Sequence, residues 1–270
     1  MPTIISVDDP ADPRVEAYCN IRERDMVGRA GLFVAEGRVV IEKLVASESH
    51  QPQSLLVAAH RLESLGDVLD QLDERVPVFS ASQRVIDAVA GFPLHRGLLA
   101  IGRRIDPPGL EQLLTSLPER ANILVLAGIA NHDNMGGIFR NAAAFGAQAV
   151  LLDAACCDPL YRKAIRVSVG AALLVPFARI PRDTNLLALL DHHGFRPVAL
   201  SPAGKVPLAT LSVGRRNAVL LGAEGPGLPE NLLANTVPVR IPMANTFDSL
   251  NVATASGIVL HHFTTAHAIT

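Results

Sequence analysis

Residues 218–228 read Ala-Val-Leu-Leu-Gly-Ala-Glu-Gly-Pro-Gly-Leu, an apolar run that turns abruptly into a glycine-rich loop. A continuous apolar run is typical of a strand buried on both faces, as in parallel sheets covered by helices. The segments between such runs are long enough for helices. The predicted strands span residues 123–127, 149–152, 173–177, 197–200, 218–222 and 237–241. We therefore expect an α/β fold with a parallel sheet.

The first part of the chain predicts a smaller α/β module. Hydrophobic spacing predicts strands over residues 30–36, 54–58, 76–79 and 97–101, and helices over 37–46, 62–72 and from Ser82 onward. Paired prolines and a glycine in residues 105–109 (Ile-Asp-Pro-Pro-Gly) interrupt both kinds of structure. We therefore divide the chain into a first domain (1–105), a linker with a first helix (106–120) and a second domain (121–270).

Composition limits the possible partners. The 270-residue chain has 24 Lys+Arg against 26 Asp+Glu, so no overall basic field points to nucleic acid. The N-terminus lacks the pattern of a secretory signal, and no apolar run approaches the roughly 20 residues that span a bilayer, which favours a cytoplasmic protein. Cys19, Cys156 and Cys157 predict neither disulfides nor a zinc site. Adjacent histidines diverge on a helix, so we expect no metal site.

Polar and glycine residues follow three of the predicted strands. Residues 131–146 read Asn-His-Asp-Asn-Met-Gly-Gly-Ile-Phe-Arg-Asn-Ala-Ala-Ala-Phe-Gly, and residues 222–228 form the second such loop. Residues 242–255, the third, read Pro-Met-Ala-Asn-Thr-Phe-Asp-Ser-Leu-Asn-Val-Ala-Thr-Ala. Because the carboxyl ends of parallel strands meet at one edge of a sheet, these loops can converge on one ligand site.

The three loops resemble the signature motifs of the SpoU/TrmH branch of the SPOUT RNA methyltransferases. The motifs are Asn…Asn-x-Gly…Arg in residues 131–140, Gly-x-Glu-Gly in 222–225 and Ile-Pro-Met…Ser-Leu-Asn in 241–251. Residues 33–37 (Phe-Val-Ala-Glu-Gly) and their surroundings resemble the SpoU-type RNA substrate-binding domain often fused in front. The resemblance implies a C-terminal SPOUT domain whose parallel sheet contains a deep trefoil knot, an exception to the general absence of knots. A smaller α/β, L30e/L7Ae-like RNA-binding domain would precede it.

The resemblance also implies an activity, which is transfer of a methyl group from S-adenosylmethionine to a ribose 2′-hydroxyl of structured RNA. The substrate would be rRNA or tRNA, and the enzyme a homodimer joined through its knot region. Backbone groups largely hold the cofactor in this family, so apolar and glycine residues suit the site. The matching positions are Gly222, Ala223, Ile241, Met243 and Leu250.

The family's catalytic positions match Asn131, Arg140, Glu224, Ser249 and Asn251. We expect Arg140 in the first turn of its helix. Asn131 and Asn251 would fix Arg140, the ribose or the neighbouring loop, and Glu224 would accept a hydrogen bond from Arg140 or from an amide in the adjacent knot loop. A guanidinium keeps its proton in proteins, so we interpret Arg140 as a clamp for the target phosphate and the developing alkoxide, with a phosphate oxygen or water accepting the proton. The alternative for the Asn, Ser and Glu residues is a role as helix caps and turn formers.

Three departures from the family pattern leave a second function open. His132 stands where proline is common, Ala244 and Asn245 replace a frequent glycine, and Ala253 replaces a small polar residue. A catalytically silent RNA-binding factor with the same knotted fold is therefore the alternative. A dinucleotide oxidoreductase is disfavoured because the strand–GxGxxG–helix signature is missing.

Local arginine clusters compensate for the weak overall charge. In the first domain Arg22, Arg24, Arg29 and Arg38 surround residues 33–37, and we expect them to contact RNA. Arg162, Lys163 and Arg166, together with Arg215 and Arg216, are either phosphate contacts or solvated surface.

Overall fold

A computed structural model describes residues 2–19, 31–105, 108–244 and 249–269. The chain forms two compact units. The first contains residues 1–106 and 160–174, and the second contains residues 107–159 and 175–270. Arg22, Arg24, Arg29 and Asn245 lie outside the described residues.

The first unit is built on a mixed five-stranded sheet in the order β1-β4-β3-β5-β2. Its strands are β1 (Ile4–Val7), β2 (Leu32–Glu36), β3 (His50–Ala58), β4 (Val78–Ala81) and β5 (Leu98–Arg104). β4 runs parallel to β1 and β3, whereas β5 runs antiparallel to β2 and β3. Apolar side chains such as Val34, Leu56 and Leu99 form a buried core on this sheet, which stabilises the unit.

Short helices cover this sheet. They are α1 (Arg38–Val45), α2 (Gly66–Leu69) and α3 (Gln83–Ala90), together with 3-10 turns at Pro13–Tyr18, Ala59–Arg61 and Glu63–Leu65. The Ser82 hydroxyl accepts a hydrogen bond from Val85 N, which confirms the predicted cap of α3.

The structure of this unit differs from the sequence-based expectation at two places. The amphipathic helix expected over residues 62–72 is wrong, because the chain forms a 3-10 turn and a single α-turn there. Gly66 has low helix propensity and no side chain caps α2, so a longer helix is not stabilised. Strand β1 was not predicted, since its four residues stand alone before a Pro-containing loop.

Residues 160–174 belong to the first unit although they are distant in sequence from the rest of it. It contains α6 (Arg162–Val167) and a 3-10 turn, Ala171–Leu173. Arg162 forms an ion pair with Glu36, and both side chains are largely buried. The Lys43 ammonium donates to the Val169 carbonyl at 2.6 Å. These contacts fasten residues 160–174 to β2 and α1.

The second unit contains a seven-stranded sheet in the order β10-β12-β9-β11-β6-β7-β8. Its strands are β6 (Ala121–Ala127), β7 (Ala149–Leu152), β8 (Phe177–Arg179), β9 (Arg196–Leu200), β10 (Val206–Pro207), β11 (Arg216–Gly222) and β12 (Val237–Arg240). Each described pairing is parallel, which confirms the predicted parallel α/β sheet.

The strand predicted over residues 173–177 is wrong in position. Leu173 ends a 3-10 turn, and β8 begins only at Phe177, after Pro176. Proline lacks an N–H for a strand ladder, so the apolar sequence before it does not continue the sheet. The short strand β10 was not predicted, because Val206-Pro207 carries no alternation that a sequence pattern can detect.

Helices pack on both faces of this sheet. They are α4 (Leu110–Ser116), α5 (His132–Ala144), α7 (Leu186–His192), α8 (Glu230–Ala234) and α9 (Val252–Ile269). Gly137 of α5 faces Ala253 of α9 so closely that an added Cβ at Gly137 would lie 2.7 Å from the Ala253 methyl carbon. Asn141 donates to the Ala253 carbonyl at 2.6 Å, which joins the two helices further.

Ala253, one of the departures from the family pattern, therefore serves as a small residue at a close helix contact.

Among the described helices, none is both long enough and apolar enough to cross a membrane. Cys156 is buried, and this burial raises the pKa of its thiol to about 12. A thiol in this environment is held in the unreactive form.

Candidate functional site

A cavity of about 410 Å³ opens at the carboxyl edge of β9, β11 and β12. The loop after β11 contributes residues 222–225 and Gly227, and the chain after β12 contributes Ile241 and Met243. Residues 249–251 and the first turn of α9 close the opposite side. The carboxyl ends of parallel strands thus bring together segments that are distant in sequence.

The five residues predicted to hold a cofactor all line this cavity: Gly222, Ala223, Ile241, Met243 and Leu250. Glu224, Ser249 and Asn251, predicted as catalytic, line it as well. Leu250 is an exposed large hydrophobic residue at its rim. The described lining consists mainly of glycine and apolar residues, with Glu224, Asn251 and two serines as polar groups, which suits a small organic ligand.

Gly222 is required by close backbone packing within the loop. A Cβ added there would lie 2.2 Å from the Gly227 carbonyl carbon and 2.4 Å from the Leu228 nitrogen. The Gly227 N–H donates to the Ala223 carbonyl at 3.0 Å, and Gly225 and Gly227 adopt φ angles of 86° and 70°. Glycine permits both the tight turn and the close approach.

A hydrogen-bonded network joins two residues of the cavity lining, Glu224 and Asn251, to Asn134. Asn134 Nδ2 donates to Glu224 Oε1 at 2.7 Å, and Asn251 Nδ2 lies 3.2 Å from the same oxygen. Asn251 Nδ2 also donates to Asn134 Oδ1 at 2.8 Å. The three predicted loops therefore meet through side chains as well as backbone. Asn134 is buried, whereas Glu224 and Asn251 are exposed, and the mutual hydrogen bonds of the three side chains favour one arrangement.

Asn134 is the member of this network to which the sequence analysis assigned no role. It is 7% exposed and lies in the first turn of α5. The available signal was its place in the Asn-x-Gly part of the first motif, Asn134-Met-Gly136. An amide can donate to a carboxylate and accept from a second amide, so it suits the position between Glu224 and Asn251.

Asn131 lies at the N-cap of α5, outside the network. Its Oδ1 accepts from Asp133 N at 2.7 Å and from Asn134 N at 3.3 Å. Asn251 belongs to the network and also caps a helix, because its Oδ1 accepts from Ala253 N at 2.9 Å at the start of α9. Such capping bonds fix where a helix begins and therefore where its first side chains point.

The sequence analysis predicted Arg140 in the first turn of its helix. It lies instead eight residues beyond the start of α5 at His132. The predicted position was wrong because α5 begins directly after Asn131, earlier than the glycine pair suggested. Arg140 is exposed and lies outside the cavity lining. In the part of the chain that the structure describes, Arg140 has no ion pair. Glu224 accepts hydrogen bonds from two amides, which is the second of the two arrangements expected for it.

Helix geometry explains this separation. Six residues at 100° per residue place Arg140 about 120° around the helix from Asn134. Asn134 is buried toward the network and Arg140 is exposed on another face. Within one chain, Arg140 therefore does not belong to the Asn134–Glu224–Asn251 network.

Three arginines of the basic stretches at residues 162–166 and 215–216 contact other side chains of the protein. Arg162 pairs with Glu36, Arg215 pairs with Glu119, and the Arg216 guanidinium lies 4.4 Å from the Phe195 ring centre. Within the described ranges, no group of three or more His, Cys, Asp or Glu side chains is placed to hold a metal ion.

The family model for the SpoU rRNA methylase family matches residues 121–261. An uncharacterized tRNA/rRNA methyltransferase of Mycobacterium bovis is 40% identical over 267 residues, covering 96% of this chain and 91% of the relative. The 23S rRNA (guanosine-2′-O-)-methyltransferase RlmB of Escherichia coli is 29% identical over 217 residues, covering 79% of this chain and 85% of the relative.

The fold is similar to that of an AdoMet-bound rRNA methyltransferase from Sinorhizobium meliloti, with a TM-score of 0.83. That structure is 23% identical in sequence, and the match covers 99% of both chains. The three motifs, the parallel sheet and the extent of these similarities agree. This protein therefore belongs to the SpoU rRNA methylase family.

Proposed function

We propose that this protein transfers a methyl group from S-adenosylmethionine to a ribose 2′-hydroxyl of structured RNA, either rRNA or tRNA. The observation that carries the proposal is the cavity at the carboxyl edge of the sheet, two of whose lining residues, Glu224 and Asn251, are bonded to each other and to Asn134. The name of the Escherichia coli relative supports the ribose position, and the name of the Mycobacterium bovis relative supports an RNA substrate.

The residues of the cavity fit S-adenosylmethionine. The cavity volume of about 410 Å³ lies in the range of small-molecule sites. Gly222 and Ala223 offer backbone groups, while Ile241, Met243 and Leu250 offer apolar contact for the adenine ring and the methylene groups of the methionine chain. When bound, S-adenosylmethionine supplies an activated methyl group on a sulfonium centre.

Glu224, Asn251 and Asn134 act as positioning residues in this proposal. Their hydrogen bonds fix the loop of residues 222–228 against the start of α9, and in-line transfer depends on such fixed placement. Asn131 contributes by capping α5, which fixes Asn134. Ser249 lies at the cavity and is available as a hydroxyl donor or acceptor.

Arg140 acts on the RNA as a clamp rather than as a base. A guanidinium has no acceptor and keeps its proton, but its fork of donors matches a phosphate and stabilises developing alkoxide charge. The ribose proton then passes to a phosphate oxygen or to water. The exposure of Arg140 supports contact with a large substrate.

We further propose that the protein is a homodimer. Arg140 lies outside the cavity lining of its own chain, so a second subunit offers a way to bring a guanidinium to each cavity. One subunit would hold the cofactor and the other would supply part of the RNA site.

The proposed architecture follows the family. A deep trefoil knot in residues 121–270 is supported by the insertion of β11 between β6 and β9 and by the return of residues 249–251 to the loop after β11. Residues 1–105 are proposed as the L30e/L7Ae-like RNA-binding domain and residues 106–120 as linker and first helix. A cytoplasmic location follows from the RNA substrate.

Mapping of 2′-O-methyl positions in rRNA and tRNA from cells with and without the gene tests this function. We expect one or more positions to lose methylation in the deletion strain and to regain it when purified protein and S-adenosylmethionine are added to the extracted RNA. An unchanged map, with RNA binding retained by the purified protein, would establish the catalytically silent alternative.

A further inference from the structure

A loop outside the three motifs contacts the chain just before α5. This loop, residues 153–157, follows β7, whereas residues 128–131 form the turn that joins β6 to α5. Both segments belong to the second unit. The turn ends at Asn131, the cap of α5, so its shape decides where the helix starts and where Asn134 lies.

The backbone groups of the turn bond to this loop. The Gly128 N–H donates to Asp153 Oδ2 at 2.9 Å. The Ile129 N–H donates to Cys156 Sγ at 3.3 Å, and the Ile129 carbonyl accepts from Cys157 N at 2.9 Å. Ile129 is buried, and a buried backbone group that loses its partner costs free energy. The loop after β7 therefore stabilises one conformation of the turn.

Asp153 connects the turn to the loop itself, because its two carboxylate oxygens bond in different directions. Oδ2 accepts from Gly128 N, while Oδ1 accepts from Ala155 N and Cys156 N, each at 2.9 Å. All three partners are N–H donors, which a carboxylate accepts with both oxygens and an amide with only one. The substitution Asp153→Asn would therefore direct an NH₂ group at one of these donors.

Arg179 holds the same loop from β8. Its Nη1 donates to the Cys156 carbonyl at 3.1 Å, and its Nη2 pairs with Asp158 at 3.3 Å. Arg179 is the last residue of β8, which pairs with β7 in the sheet. The bonds to the turn therefore come from a segment that is itself fixed to the sheet.

The turn also contacts the second motif. Gly128 has a φ of 71°, and a Cβ added there would lie 3.2 Å from the Ala223 methyl carbon. Ala223 lines the cavity at the carboxyl edge of the sheet. In the other direction the turn leads to Asn131, which caps α5, and to Asn134, which bonds to Glu224. A displaced turn would therefore affect residues of this cavity.

We propose that Asp153 is a positioning residue for methyl transfer. Its carboxylate fixes the turn of residues 128–131, and the turn sets the placement of Asn134 against Glu224. Asp153 acts only through the turn, since it lies outside the lining of the cavity at the carboxyl edge of β9, β11 and β12. The inference rests on the proposed function, and it adds a residue that none of the three motifs contains.

The variant Asp153→Asn tests this role. Single-turnover methyl transfer at saturating S-adenosylmethionine and RNA should slow about tenfold, the equivalent of one lost hydrogen bond to a charged group. Amide hydrogen exchange, measured by mass spectrometry, should become about tenfold faster in the peptide that contains Gly128 and Ile129. A wild-type transfer rate in this variant would overturn the proposal.

Asp9→Asn is the matched control. Asp9 Oδ1 accepts from Ala11 N at 2.9 Å, the same two-residue pattern that Asp153 forms with Ala155. Asp9 is exposed and belongs to the first unit. This substitution should leave both the transfer rate and the exchange of the turn unchanged. Equal losses of transfer in the two variants would contradict a specific role for Asp153.

A double-mutant cycle with Asn134→Ala separates positioning from a general loss of stability. If Asp153 acts through Asn134, adding Asp153→Asn to the Asn134→Ala variant should slow transfer by less than about threefold, instead of about tenfold. A further tenfold loss, about the effect in the wild-type background, would show that the two residues act independently and would overturn the proposal.

Circular dichroism and urea unfolding establish that the variants are folded. If Asp153→Asn does not fold, Cys156→Ala decides instead, because it removes the thiol that bonds to Ile129 N and to the Leu126 carbonyl. Transfer should slow about threefold to tenfold. The control is Cys19→Ala, whose thiol donates to the Val15 carbonyl in the first unit. A wild-type rate for Cys156→Ala would then contradict the role of the loop.

Hydrogen exchange keeps this inference separate from the proposed function. If the wild-type protein transfers no methyl group but exchange of the turn responds to Asp153→Asn, the proposed function fails and the fixing of the turn by Asp153 stands. If the wild type and Asp153→Asn transfer at the same rate, the proposed function stands and the positioning role fails.

Discussion

Asn134 and Glu224 are joined by a 2.7 Å hydrogen bond from Nδ2 to Oε1, although 90 residues separate them in sequence. Asn251 bonds to both, so a residue from each motif enters a single network. A network with every member bonded loses its geometry when one member is removed, and the remaining partners lose their hydrogen bonds.

Asn134→Ala should lower the rate of methyl transfer about 10²-fold, because the loop of residues 222–228 loses its link to α5. The free energy of unfolding should fall by about 0.5 to 1.5 kcal/mol through the lost hydrogen bonds, because the exposed partners Glu224 and Asn251 can bond to water instead. Single-turnover methylation and urea unfolding measure the two effects. Asn185→Ala is the control, since Asn185 caps α7 through Ala188 N far from the network in sequence. It should cost about 1 kcal/mol and leave the rate unchanged.

Gly222→Ala should weaken S-adenosylmethionine binding at least about tenfold, because the new methyl group would displace the backbone at Gly227. Isothermal titration calorimetry measures the affinity. Gly109→Ala provides the comparison, since an added Cβ there meets no atom within 4 Å. Equal affinities for the wild type and Gly222→Ala would contradict the assignment of this loop to the cofactor.

Arg140→Lys tests the clamp. The substitution keeps the charge but removes the planar fork of donors, so we expect transfer to slow about 10²-fold while S-adenosylmethionine affinity stays the same. Rates measured with saturating RNA separate slower methyl transfer from weaker RNA binding. Near-normal turnover by this variant rules the clamp out.

Arg162→Met should destabilise the first unit by about 3 to 5 kcal/mol, because the buried Glu36 carboxylate loses its ion-pair partner. Arg75→Met removes an exposed pair with Asp73 and should cost less than about 1 kcal/mol. Urea unfolding, followed by circular dichroism, compares the two variants. A similar small loss for both would show that the Glu36 pair is solvated.

His50 should make stability depend on pH. Its side chain is buried, and this burial lowers the pKa from 6.5 to about 4, so the folded protein resists protonation that the unfolded chain accepts. Stability is therefore full above pH 6.5 and declines as the pH falls toward 4, by up to about 3 kcal/mol.

The variant His50→Asn removes this titration while retaining an amide donor for the Leu173 carbonyl, which lies 3.3 Å from Nδ1. The difference in unfolding free energy between wild type and variant should shift in favour of the variant between pH 6.5 and pH 4. A constant difference over this range would contradict the assignment.

The parallel sheet and the cavity lining were predictable because they depend on local signals. Continuous apolar strands such as residues 218–222 indicate burial on both faces, and glycine loops after them mark the ligand edge. The expectation that Gly222 and Leu250 contact a cofactor came from the resemblance to the SpoU/TrmH motifs, and both residues line the cavity.

The partners of polar side chains could not be predicted in the same way. Asn131 and Asn134 are both plausible in sequence, and only the start of α5 decides which one caps the helix and which one reaches Glu224. The third-turn position of Arg140 depends on the same helix start. The failed helix over residues 62–72 shows that apolar spacing alone does not outweigh short-range turn preferences.

The attachment of residues 160–174 to β2 and α1 has a consequence for how the gene product can be divided. A fragment beginning at residue 107 would retain this segment but lose Glu36, Lys43 and Ser47, which bond to Arg162, Val169 and Leu173. The first unit therefore cannot be replaced by exchanging the N-terminal residues alone. Exchange of the N-terminal part between relatives should succeed only when residues 160–174 are exchanged with it.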